Sequence, residues 1–126
     1  MSIETTNIAA LPPHKRPRCF VIEQPTRTDR NIADTSEFGQ LTYLFPPECR
    51  RPSIFDCDRM ADAIEKALLD FDYDPDNDYL VLAGSLILVA SVTTVIGDMF
   101  ARYKALLYDI QKSRYIPKEL GRATQQ

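Results

Sequence analysis

Apolar residues recur along this chain with two different periods, and the changes of period mark out its elements. Cys19-Phe20-Val21-Ile22 and Leu41-Thr42-Tyr43-Leu44-Phe45 are short runs rich in β-branched and aromatic residues, closed by Pro25 and by Pro46-Pro47, and they read as two strands. Met60, Ile64, Leu68 and Phe71 follow at spacings of four, four and three, which draws one apolar stripe down a helix. Ser53 or Asp56 supplies its N-cap, Asp56, Asp58 and Asp62 favour the positive end of its dipole, and Pro75 and Asn77 are expected to close it.

Tyr79 to Ala83 is apolar at every position, as in a central strand covered on both faces of a parallel sheet. Gly84 permits a sharp turn, Ser85 is placed to cap the next helix, and Leu86 to Tyr103 is expected to be helical and largely buried. Lys104 to Ile110 then returns as a strand parallel to the first by a right-handed crossover. Gln111-Lys112-Ser113 forms a hairpin turn, and Arg114 to Leu120 runs back as an edge strand marked by Pro117. The expected fold is a single α/β domain over residues 19–120, ββαβαββ, with a mixed sheet and two helices. Residues 1–18 read as a proline-punctuated basic arm, 121–126 as a tail, and 26–39 as a polar loop with one helical turn at Asp34–Glu37.

At 126 residues one domain with a sizeable core is the natural outcome. The formal net charge of −3 argues against nonspecific nucleic-acid binding and hides a segregation. Residues 56–78 carry nine acids against Arg59 and Lys66, a balance of −7. Residues 98–122 carry six bases against Asp98, Asp109 and Glu119, a balance of +3. Such poles suit a charged protein partner or a second copy, with Lys15, Arg16 and Arg18 of the arm meeting Asp58, Asp62 and Glu65 of the acidic helix. The 19 uncharged residues from Tyr79 to Gly97 have the length of a membrane span. The Gly84-Ser85 break, the hydroxyls of Ser91, Thr93 and Thr94, and the apolar segment that follows favour a buried strand and helix instead.

Candidate chemistry is thin. Cys19, Cys49 and Cys57 form no C-x-x-C pair, and one histidine does not make a zinc site. The aspartates from Asp70 to Asp78 have the density of a calcium loop, but Pro75, Asn77 and Ala83 stand where such a loop needs other residues. Gly84-Ser85 lacks the second glycine and the nearby histidine of a nucleophile elbow, and no phosphate-binding fingerprint surrounds it. It remains a helix N-terminus at a strand's carboxyl end, suited to weak anion or nucleotide binding. No cofactor and no catalytic residue is expected.

Phe38-Gly39-Gln40-Leu41, Asp78-Tyr79-Leu80-Val81-Leu82-Ala83-Gly84, Leu106-Leu107-Tyr108-Asp109 and Arg114-Tyr115-Ile116-Pro117 together resemble a family of small proteins encoded by tailed bacteriophages and prophages. Its members read DYLLLxGDP, then a helix, then LLxWDRxxxRYIPV. This chain departs from them in Ser85-Leu86, in Tyr108 for tryptophan, and in its arm and central loop. The resemblance implies a phage origin and an α/β fold and carries no mechanism. The expected role is a non-catalytic accessory protein acting by protein–protein contact in the host cytoplasm, in counter-defence or host takeover. A minor virion component and a small-ligand binder are the alternatives. A homo-oligomer is expected, with the arm or an edge strand, at the hairpin or at Cys19–Ile22, in its interface.

Overall fold

A computed structural model describes residues 16–23 and 34–121. Five strands, β1 (Arg18–Glu23), β2 (Gln40–Phe45), β3 (Tyr79–Val81), β4 (Arg102–Asp109) and β5 (Arg114–Gly121), and two helices, α1 (Cys57–Asp70) and α2 (Leu86–Met99), follow one another in the expected order ββαβαββ. The sheet order is β2-β1-β3-β4-β5; its first four strands are parallel and β5 is antiparallel to β4. β3 holds the middle position, as its unbroken apolar sequence requires. β1, anticipated at a margin, lies between β2 and β3, so β2 and β5 are the edges.

Alternation along the strands divides the core in two. Phe20, Ile22, Leu44, Leu80 and Ala105 face both helices and meet Met60, Ile64 and Leu68 of α1 and Leu88, Val92, Val95 and Ile96 of α2. Cys19, Val21, Val81 and Leu106 face the other way, where no helix lies among the described residues. Tyr43, Tyr79, Tyr115 and Phe38 cover them, the last held by a turn in which Thr35 O accepts from the amides of Phe38 and Gly39. The turn belongs on that face because the β1–β2 connection runs in the direction opposite to the two crossovers, and a right-handed path then passes over the opposite side of the sheet.

Asp56 is the N-cap of α1, its Oδ1 accepting from Arg59 N at 3.2 Å. The helix stops before Pro75. Asp72 takes a left-handed φ of 54°, Asp72 N donates to Leu69 O and Tyr73 N to Leu68 O, a Schellman closure with aspartate in the position glycine usually takes. α2 also ends earlier than the apolar run suggests. Phe100 turns extended so that Arg102 and Tyr103 can pair with Gly121 and Leu120 of β5, and Gly121, at φ 113°, admits the close carbonyl of Ala101. The uncharged run is thus a strand plus a 14-residue helix, and among the described residues no helix is long and apolar enough to cross a membrane.

One ion pair joins these layers. Asp78, 1% exposed, accepts from Arg18 N (3.1 Å), Arg18 Nε (3.4 Å), Arg18 Nη2 (2.9 Å) and Asp74 N (2.9 Å). The same guanidinium donates to Phe71 O (2.6 Å) and Asp72 O (3.0 Å), two carbonyls at the end of α1. Arg18, expected in the arm, is therefore the first residue of β1 and ties it to β3 and to the α1 terminus. Beside this cluster the Tyr73 hydroxyl is buried with no hydrogen-bond partner among the described residues, its ring 5.7 Å from Phe20 and 5.6 Å from Phe100. Burial, with the Asp78 charge adding to it, raises its pKa far above the ordinary tyrosine value.

Two stability measurements follow. Replacing one partner of the ion pair strands the other, so Arg18→Met and Asp78→Asn should each lower the unfolding free energy by about 3 kcal/mol. The double variant should lose clearly less than their sum in urea titrations; strict additivity would show that the two groups do not act together. Tyr73→Phe removes an unsatisfied hydroxyl and should raise stability by about 1 kcal/mol, whereas a loss of similar size would reveal a partner for that oxygen.

Candidate functional site

In a parallel sheet every strand ends on the same side, and the crossover helices begin there. Gly84 and Ser85 make this turn after β3. Gly84 sits at φ 111°, open to solvent on the side a Cβ would occupy, and Ser85 is extended and exposed. Ser85 stands at the N-cap of α2 but its side chain makes no cap hydrogen bond, so its place in the turn is held by backbone alone, with Val89 N donating to Ser85 O. The next two residues are apolar and exposed: Leu86 by 85% and Ile87 by 42%. Phe55, which precedes the cap of α1 at this same end of the sheet, is also exposed.

β4 adds to this rim by outrunning its neighbour. Its pairing with β3 ends at Leu106, which accepts from Leu82 N, so Leu107, Tyr108 and Asp109 pair only with Ile116, Tyr115 and Arg114 of β5. The tip is tightened by Asp109 Oδ1, which accepts from Gln111 N at 3.0 Å and Lys112 N at 3.2 Å, and by Ser113 at φ 52°. Leu107, Tyr108 and Ile110 are exposed on this ribbon, and a recess of about 530 Å³ opens among Leu107, Tyr108, Ile110, Lys112, Ile116 and Lys118. Along β4 the backbone groups of Tyr108 share the direction of those of Leu106, towards the β3 side, where the strand has already ended.

The other anticipated residues are not gathered here. Asp58, Asp62 and Glu65 lie on the exposed side of α1, Arg16 is half-buried ahead of β1, and Lys15 lies outside the described residues. Arg18 is committed to Asp78. At the carboxyl end of β1, Glu23 is held by Arg51 through contacts of 2.7 and 3.3 Å, which pins the loop after β2. Cys19, the buried thiol, is pushed up to about 11 by burial, with the Thr35 hydrogen bond opposing and the Asp78 charge adding to the rise, so it is not a nucleophile at neutral pH. Among the described residues no group of three His, Cys, Asp or Glu side chains is placed to hold a metal ion. The apolar rim was missed in the sequence because Leu86 and Ile110 stand at the ends of apolar runs that also hold core residues such as Leu88 and Leu106. Their only signal is position, one beside a cap and the other beside a turn.

The phage Pam3 gp32-like protein family model matches residues 17–121. No curated protein and no solved structure matches the chain. The matched span runs from the residue before β1 to the last residue of β5, taking in the ion pair, both helices and the whole rim, and the chain belongs to this family of phage proteins.

Proposed function

We propose that this phage protein is a non-catalytic accessory protein that acts in the infected cell by binding another protein through the apolar rim at the carboxyl end of its sheet. One observation carries the reading. Of eight large hydrophobic side chains exposed among the described residues, six (Phe55, Leu86, Ile87, Leu107, Tyr108 and Ile110) belong to segments at that end. Leu41 and Leu69 are the two elsewhere. Exposed apolar groups gathered at one end are the mark of an interaction site. The ribbon also offers backbone groups at Tyr108 to an added strand, so a partner can be held by main-chain hydrogen bonds as well as by side-chain burial. Ser85, the hydroxyl beside Leu86, has apolar neighbours on its helix and no histidine near it in the sequence, which supports a surface that binds without reacting.

Affinity capture from infected cells with three forms of the full chain tests this. Wild type and Ser85→Ala should retain the same partner within a few-fold, while Leu86→Ser/Ile110→Ser should lose it at least tenfold with its melting curve preserved. Equal capture by the rim variant, or loss of the biological effect in Ser85→Ala alone, would overturn the reading.

A further inference from the structure

The sheet has two margins, and they are built differently. β5 carries Arg114, Pro117, Lys118 and Glu119, the proline and charges that block strand addition. β2, Gln40 to Phe45, carries no charge and no proline over its six residues. Its inner groups are spoken for: Gln40 N donates to Pro17 O, and alternation aims the backbone of Thr42 and Leu44 the same way, into β1. The N–H and C=O groups of Leu41, Tyr43 and Phe45 therefore point outward along a strand with no neighbour on that side among the described residues.

We propose that a second copy of this chain occupies that edge, β2 pairing antiparallel with β2 about a two-fold axis to make one continuous ten-stranded sheet. A two-fold sets a strand against itself, so any charged residue near the axis meets its own kind; β2 is the edge without one, and β5 is not. With the axis at Tyr43, that residue faces the second copy's Tyr43, and Leu41 faces the second copy's Phe45. Every outward backbone group of β2 then finds a partner. Leu41, 37% exposed, stands beside that seam. α1 packs against α2 and over β2, so the two acidic helices come to lie on the same side of the joined sheet. Attraction between opposite charges is thus not what holds the pair, and added salt does not loosen it. The pairing is independent of the rim, which it leaves open in both copies.

Sedimentation of the full chain at tens of micromolar should give a mass near twice 14.4 kDa, unchanged or firmer between low and high salt. Leu41→Pro removes an outward N–H without touching the β1 ladder, and Leu41→Lys sets a charge on the edge; each should weaken dimerisation at least tenfold with the far-ultraviolet spectrum retained. Ile110→Ser should remain dimeric. In wild type the amides of Leu41, Tyr43 and Phe45 should exchange more slowly as concentration rises, a readout that does not depend on any variant folding. A monomer at these concentrations, a dimer that survives in folded Leu41 variants or dissociates in Ile110→Ser, or concentration-independent exchange at the three amides would overturn the proposal.

Discussion

The carboxylate of Asp78 is the point on which the architecture closes. It lies at the amino end of β3, where the order β2-β1-β3-β4 reverses direction, and it takes hydrogen bonds from the backbone and the guanidinium of Arg18 on the neighbouring strand. β1 and β3 share only a short ladder, Cys19 with Tyr79 and Phe20 with Leu80, because β3 is three residues long. A buried charge accepting from both main chain and side chain adds direction to that ladder as well as strength. Through Phe71 O and Asp72 O the same arginine also fixes where α1 ends.

How far the sequence led depended on the range of the interactions. The α1 stripe of Met60, Ile64 and Leu68 and the apolar run of β3 were legible because period and burial are local properties. The position of β1 was not, because a four-residue apolar run reads alike at a margin and in the interior, and strand order follows from long-range pairing. Arg18 shows the same limit. Beside His14, Lys15 and Arg16 it looks like the end of a basic tail, and only its meeting with Asp78, 60 residues away, makes it a structural tie. The end of α1 was misplaced for a chemical reason, since aspartate can accept the left-handed conformation and so ends a helix where no glycine stands. The Gly84-Ser85 turn was located correctly, and the apolar side chains around it set its character.

The two ends of the parallel sheet thus divide the work. The buried ion pair lies at the amino end, with Phe71 and Tyr73 edge-on to Phe20 beside Arg18 and Asp78. At the carboxyl end, where folds of this kind usually receive ligands, lie six of the exposed large apolar side chains, on the first turns of helices and on a ribbon that outruns the sheet. Stability is concentrated away from the surface proposed for recognition, so substitutions in the rim are free of the costs that attend the ion pair.

The interior placement of β1 also orders events in time. This strand leaves the ribosome first, yet both its neighbours are made later, and the residue that anchors it lies 60 positions downstream. Until β2, α1 and β3 have emerged, Cys19, Phe20, Val21 and Ile22 have no surface to bury against, and closing so long a loop draws on chain entropy before any contact compensates it. The contacts that enclose β1 on both sides are therefore complete only once β3 has been made.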